Sequence, residues 1–513
     1  MILAGEVALW VALLLAGWSA VVSALAARTS RRAFADNGAW AAYALPVALL
    51  LACAGLVSAL LGNDFALRQV AEHSSVATPW PYRVSALWAG EGGSLLLWSV
   101  ALAVHGALLA RALRRARVRD DTVDALAPAA TAIVSTLVLA LLATLMLAQY
   151  PYARLPWPAP DGAGLSPELR HPAMAVHPPL LHFGYAALAA PFALAMAALL
   201  VRDARGGWFP LARRWATASW TLLTAAILLG MRWALVTPGW EGLWQWEPVQ
   251  SLAFLAWVVA ALLAHASVLA ARWSPLRTPL SWAAGLALPV ALLGLASAHA
   301  GESGGRHAFR GSPAEAPLVA LVLVVSATAV RLLAWRLRGV ASPWPGDANA
   351  ARPEGANVGA WLAHAGLVLL AVGLGARLGA RTYDVTLSPA QSVELTDPFG
   401  GVWRFTSQGE SRGREGSEEV TAVGLALSRD GASLGLIAPE MRQQASPDGQ
   451  TEGRAVPGVA IRESVAMEMS VMMTDLPNPV APFRVAFHPL GVLVWLGGAL
   501  AVIGGITAFV TRR

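Results

Sequence analysis

Residues 215–272 read WATASWTLLTAAILLGMRWALVTPGWEGLWQWEPVQSLAFLAWVVAALLAHASVLAAR. Two apolar runs, 215–236 and 251–272, stand either side of a loop at 237–250. Lipid offers the backbone no hydrogen-bond partner, so a crossing segment is a helix of about 20 mainly apolar residues. Both runs meet that requirement. The loop carries Trp240, Trp244 and Trp246, with Gly239, Gly242 and Pro248 shaping its backbone. One indole at a membrane edge is ordinary anchoring. Three within seven residues fit either an interfacial aromatic belt or a platform for a flat apolar ligand.

The same pattern recurs outward from this hairpin, at 3–27, 39–62, 88–112, 126–149, 178–202, 279–298, 316–337, 358–377 and 488–510. The fold class is therefore an all-α polytopic membrane protein with about 11 transmembrane helices. The composition agrees, at 56% hydrophobic and 13% charged residues. The first run is too long for a signal-peptide core and lacks a basic start, so it reads as a retained helix. Every basic residue among the 37 is arginine, and the net charge is only +6. The arginines gather at segment ends, which excludes a nucleic-acid surface and makes membrane lipid the partner. The lone cysteine, Cys53, lies in an apolar run. That excludes an intrachain disulfide, a CxxC redox pair and an iron–sulfur ligand set, so any thiol chemistry must come from a partner.

Arginines follow the first, third, fifth, seventh, ninth and last helices. Every second loop is thus basic, which sets the N-terminus outside and the C-terminus in the cytoplasm. The expected organisation is a membrane core over 1–377, an extracytoplasmic region over 378–487, and a final helix with a basic tail over 488–513. Within 378–487, TYDVTLSP (382–389), VWRFTSQ (402–408), EVTAVGLALS (419–428) and ASLGLIAP (432–439) read as strands. Asp430-Gly431 is a hairpin signal between the last two. A small β-rich domain before the last helix is expected, with 440–457 a polar loop.

Of ten histidines, only His105, His265 and His364 sit well inside apolar runs. At 1.5 Å rise per residue, His265 and His364 lie about 10 Å and about 9 Å from the inner ends of their helices. Two histidines on separate helices at matching depth can ligate one haem iron from opposite sides. His105 lies at a similar depth and is a rival ligand. A second pair lies outside: His177 in AVHPPLLHFGY and His307 in GGRHAF. They flank the tryptophan loop in sequence and suit a second haem at the outer face. Arg83 and Arg232 are candidates to pair with haem propionates, or with lipid headgroups.

These stretches resemble the cytochrome c maturation haem lyase subunit CcmF, within the haem-handling family that includes CcmC and CcsA. SALWAGEGGSLLLW (85–98) resembles the family's early tryptophan and glycine motif, and HPPLLHFGY its HPPLLYMGY segment. GWEGLWQWEPVQS matches its tryptophan-rich WWD signature in register. LLAHAS, GGRHAF and LAHAGL match three histidine contexts. The resemblance implies that His177 and His307 engage incoming haem as substrate, with Trp240, Trp244, Trp246 and Glu247 forming the platform beside them. It implies that His265 and His364 ligate a resident haem b, and that quinol supplies electrons. It also implies a CcmE-type haem chaperone, apocytochrome c bearing CxxCH thiols, CcmH-type thiol-handling subunits, and the bacterial cytoplasmic membrane. Departures mark a compact or divergent member. Glu247 replaces an aspartate. Leu243 and Gln245 replace aromatics, and His182 replaces a tyrosine and is a further candidate ligand. About four helices of larger members are missing before His364. Haem attachment is the leading reading. A haem exporter without ligase activity and a quinol-linked cytochrome b are the alternatives.

Overall fold

In the computed structural model, the described residues are all but 118–125, 167–168, 203–206, 238–241, 272, 302–306, 310–311, 338–357, 416–417, 446–450 and 512–513. Fourteen α-helices are described. They are α1 Ile2–Thr29, α2 Arg32–Leu61, α3 Arg68–His73, α4 Trp80–Ala89, α5 Glu91–Arg117, α6 Leu126–Ala148, α7 Pro172–Ala187, α8 Ala189–Val201, α9 Phe209–Val236, α10 Pro248–Ala270, α11 Arg277–Ala298, α12 Glu315–Leu337, α13 Val358–Ala376 and α14 Val492–Val510. With α7 and α8 counted as one interrupted span, 11 of these segments are long and apolar enough to cross a membrane. The sequence reading of eleven spanning helices holds.

Three boundaries differ from that reading. The 88–112 helix is preceded by α3 and α4, short helices that pack onto the outer end of α5. The turn between α4 and α5 needs Gly90, because a Cβ there would lie 2.5 Å from both His73 Cδ2 and the Gln69 amide. The fifth span begins at Pro172, so His177 lies inside a helix rather than at its start. Pro178 and Pro179 sit within α7, as membrane helices tolerate when neighbours satisfy the freed carbonyls. His488 belongs to a strand, and the last helix starts at Val492.

Small residues set how closely the helices approach. Gly359, Gly366 and Gly373 recur every seven residues along one face of α13. They meet Gly497, Ala501 and Gly504 of α14. A Cβ at Gly366 would fall 2.4 Å from the Ala501 nitrogen. The next face of α14 meets α9, where a Cβ at Gly505 would strike Thr221 Oγ1 at 2.2 Å. These contacts fix α13 through α14 to α9, and α13 carries His364.

Between α13 and α14 the chain builds ten strands from Arg381 to Pro489. They are β1 Arg381–Leu387, β2 Ser392–Thr396, β3 Val402–Glu415, β4 Glu418–Arg429, β5 Ala432–Ile437, β6 Glu440–Ala445, β7 Thr451–Pro457, β8 Val459–Glu463, β9 Met467–Met473 and β10 Ala481–Pro489. One antiparallel sheet has the order β1-β10-β9-β8. The other runs β2-β3-β4-β6-β7, with β5 also paired to β4. The expected β4–β5 hairpin forms around Asp430 and Gly431. The segment 440–457 departs from the loop reading, since β6 and β7 pair there. Inward side chains of both sheets, among them Phe405, Phe483, Phe487, Met469 and Val471, share one core. Strict alternation along β10 puts Phe483, Val485 and Phe487 in that core.

Three histidines outside the spanning segments give the fold an acid limit. Burial lowers His73 and His299 from 6.5 to about 4. His488 is lowered to about 4 by burial and then by the nearby Arg377 charge. Unfolded, each takes a proton near pH 6.5, so below that pH the unfolded chain binds more protons. Stability is full above pH 6.5 and is lost as pH falls toward 4, at steepest on the order of 4 kcal/mol per pH unit for three groups. Thermal unfolding in detergent is expected to show a midpoint that drops between pH 7 and 5. A flat profile across that range would show these rings to be already solvated.

Candidate functional site

The structure brings the deep pair together. His265 of α10 and His364 of α13 have ring centroids 5.9 Å apart, with planes at 88°. Each Nδ1 donates to the carbonyl four residues back, His265 to Ala261 and His364 to Ala360, both at 2.7 Å. That fixes the tautomer and leaves each Nε2 as an acceptor. The two rings line a cavity of about 360 Å³ between α10 and α13, floored by Trp220 and Thr217 of α9 and by Gly505 of α14. Two metal–imidazole bonds of about 2 Å plus two ring radii of about 1.2 Å put bis-ligated rings roughly 6.4 Å apart. The observed spacing suits one iron between them, and the apolar, tryptophan-lined walls suit a porphyrin. Among the described residues, Arg213 is the one charged residue lining this cavity. Sequence reasoning missed it, because an arginine at the start of a helix reads as a topology signal.

His105 is placed differently. Its Nε2 donates to the Phe183 carbonyl at 3.0 Å and the ring is buried against α7, away from the cavity. His182 faces Ser94, with Nε2 3.3 Å from the hydroxyl.

The outer pair also converges. His177, His307, Trp244 and Gln250 line one small cavity of about 40 Å³. His177 Nδ1 donates to the Ala226 carbonyl at 2.7 Å. His307 Nδ1 donates to the Glu247 carboxylate. The two Nδ1 bonds fix the orientation of both rings at this cavity. A carboxylate behind a ligating imidazole fixes its orientation and raises its basicity, as in metal centres. Trp233 packs its ring edge 5.4 Å from His307. Glu247 opens α10 as its N-cap residue, so the helix start aims the carboxylate at His307.

Trp240 lies outside the described residues. Trp244 is half-buried, Trp246 is 75% exposed, and their rings meet at 5.8 Å. Leu243 packs inward against Met231, Leu235 and Val494, anchoring the loop to the bundle. An aromatic at 243 would therefore not face the platform in this chain. Gln250 steadies the loop by accepting the Gln245 backbone N–H at 2.8 Å.

Aromatic rings join the two histidine pairs. Trp244 and Trp246 both touch Phe254, which stacks on Trp257 at 5.8 Å and 16°. Trp257 meets Trp220 at 5.9 Å, and both line the deep cavity. Trp257 is held by its indole N–H donating to Thr224 Oγ1 at 2.8 Å.

The two arginines read as propionate partners sit elsewhere. Arg83 donates to the carbonyls of Thr78 and Val76, both at 2.7 Å, clamping the turn before α4. Arg232 pairs with Glu463 of β8 at 2.6 Å and lies over the Trp495 ring. It joins the β region to the bundle.

Comparison with known proteins converges on one family. Residues 88–299 match the family described as Cytochrome C assembly protein. The chain is 35% identical over 297 residues to the probable cytochrome c-type biogenesis protein NrfE of Escherichia coli, covering 56% of this chain and 52% of that protein. It is 33% identical over 307 residues to the cytochrome c-type biogenesis protein CcmF of Pseudomonas aeruginosa, covering 59% and 45%. The chain thus spans about half the length of the curated relatives it matches. A solved structure titled Cytochrome c Heme Lyase CcmF superposes with a TM-score of 0.77 at 18% identity, covering 99% of this chain and 97% of the other, which establishes a shared fold. The matched segment and the shared fold agree in making this chain similar to the CcmF and NrfE cytochrome c-type biogenesis proteins.

Proposed function

We propose that this protein is a haem lyase component of cytochrome c biogenesis in the bacterial cytoplasmic membrane. Its N-terminus and β region face outward and its C-terminus faces the cytoplasm. The observation that carries this reading is common to four histidines. In His177, His307, His265 and His364 the Nδ1 is committed to a protein acceptor, and the two pairs border two separate cavities.

At the outer face, His177 and His307 hold the iron of substrate haem. A pocket of about 40 Å³ admits the ligating contact but no macrocycle. The haem plane therefore rests on the open side, against Trp244 and Trp246. The Glu247 carboxylate fixes the orientation of the His307 ring. The platform holds each haem vinyl group where an apocytochrome thiol adds across it, the sulfur bonding one carbon and a proton going to the other. Orientation and exclusion of water are the protein's contribution, and no side chain serves as a nucleophile. In the deep cavity, His265 and His364 would hold a resident haem b, and Arg213 would meet a propionate. That group, when bound, supplies one-electron reduction, with quinol as the source. The rings of Trp220, Trp257, Phe254 and Trp244 line the route outward. The β region, with a CcmE-type haem chaperone, apocytochrome c and CcmH-type subunits as partners, is the docking surface.

The test is reconstitution with a CxxCH apocytochrome, a haem-loaded chaperone and a reductant. Thioether-linked cytochrome is expected, and Glu247→Gln is expected to lower its yield by about 10–100-fold while leaving the resident-haem spectrum unchanged. Movement of haem to the apocytochrome without thioether formation would replace this reading with haem export.

A further inference from the structure

On the far side of the bundle from the deep histidines, α12 stands clear of α6 and α8. Two cavities, of about 790 and 540 Å³, open there. Both are lined by Ile133, Phe192, Leu200 and Thr328, so they form one continuous groove. Its walls are otherwise nearly all apolar. Among the described residues, its charged lining residues are two arginines from different helices, Arg331 of α12 and Arg28 of α1, and no acidic residue lines it. Arg28 lies in the last turn of α1, Leu200 in the last turn of α8, and Arg331 two turns before the end of α12. These cations therefore gather at the end of the bundle opposite the tryptophan loop. Trp335, 62% exposed, stands at the mouth beneath the Arg336 guanidinium, 4.0 Å from its ring centroid. The Arg336 Nε is buried without a hydrogen-bond partner.

We propose that this groove binds one phospholipid with an anionic headgroup. Its phosphate sits between Arg28 and Arg331, within reach of Arg336, and its acyl chains run along Phe192, Leu200 and Val324. Arginine forks match phosphate oxygens in pairs, and basic pockets between helices at the cytoplasmic side suit such headgroups. A neutral quinol would leave both arginines of the groove uncompensated. Only the assignment to the inner leaflet rests on the orientation proposed above.

The test is native mass spectrometry with phosphate analysis on detergent-washed protein, offered phosphatidylglycerol or phosphatidylcholine. About one phosphatidylglycerol per chain is expected to remain, with phosphatidylcholine removed. Two arginines at about 1 kcal/mol each make the Arg28→Gln/Arg331→Gln variant bind about thirty-fold more weakly. The corresponding double lysine variant should retain the lipid. Thr328→Trp, which fills the groove with both arginines intact, should lose it, and this variant decides the matter if the double glutamine variant does not fold. A wild-type protein that holds no anionic lipid, variants that hold as much as wild type, or a quinone retained in its place would overturn the proposal.

Discussion

With a resident haem held as proposed, alanine in place of His364 is expected to remove the six-coordinate haem spectrum of the purified protein, and alanine at His265 to do the same. The expectation follows from the slot between α10 and α13. Among the described residues the two rings are the only imidazoles lining it, one from each helix, with centroids 5.9 Å apart. Loss of even an outer partner of a ligand costs about 10–100-fold in metal affinity, so loss of a ligand should exceed that range. The fold should survive. Both rings are exposed on the bundle flank, and the α13–α14 crossing depends on glycines rather than on His364. Added imidazole should then restore the spectrum by filling the vacated position, a rescue that a collapsed protein would not show. His105→Ala should keep full haem, because that ring is committed to the Phe183 carbonyl. Arg213→Gln should keep both axial ligands but hold haem roughly ten-fold less tightly, since a charge-assisted hydrogen bond is worth about 1.5–3 kcal/mol, and Arg213→Lys should recover most of it. A bis-histidine spectrum that persists in His265→Ala would remove the axial assignment and promote His105.

Which parts of this site the sequence reveals depends on how each residue meets lipid. A spanning helix must be long and apolar, so all eleven spans could be read from runs such as 251–272. A histidine is costly at that depth, and His265 and His364 therefore stand out. Phe254, Trp257 and Trp220 carry no such mark. An aromatic within an apolar run looks like any lipid-facing residue, and only the folded register stacks these three between the two cavities. Leu243 reads as a lost platform aromatic, yet its side chain closes a hydrophobic cluster beneath the loop. In the β region, the segments up to 439 alternate clearly and read as strands. Residues 440–457 are polar because β6 and β7 lie at one side of their sheet, and polarity alone resembles a loop. The alternation of β10 sits against the last apolar run, which draws its final residues into the helix reading.

Glu468→Ala is expected to cost about 3–5 kcal/mol and to release the β region from the bundle. Glu468 is fully buried in β9. One carboxylate oxygen accepts from Arg377 Nη1 at 2.8 Å, just beyond the end of α13. The other accepts from the Trp495 indole at 2.9 Å, in the first turn of α14. One side chain thus ties the sheet to both helices through which the chain enters and leaves it. The Arg377 side chain is itself only 11% exposed. Alanine would strand that guanidinium without its counter-charge, and breaking a buried pair from one side costs about 3–5 kcal/mol. Removing both charges is a different matter, since apolar replacement of a whole buried pair is often neutral. Glu468→Leu/Arg377→Leu should therefore be more stable than Glu468→Ala. Limited proteolysis of the β region and thermal unfolding would measure both. A Glu468→Ala protein within about 1 kcal/mol of wild type would mean that water reaches Arg377 and that the lock lies elsewhere, at Arg232 and Glu463. Because α13 is held by its glycine contacts with α14, the loosened variant should keep His265 and His364 in place; under the proposed function it then still binds haem there while losing its docking surface. The same substitution thus separates retention of resident haem from delivery to the apocytochrome.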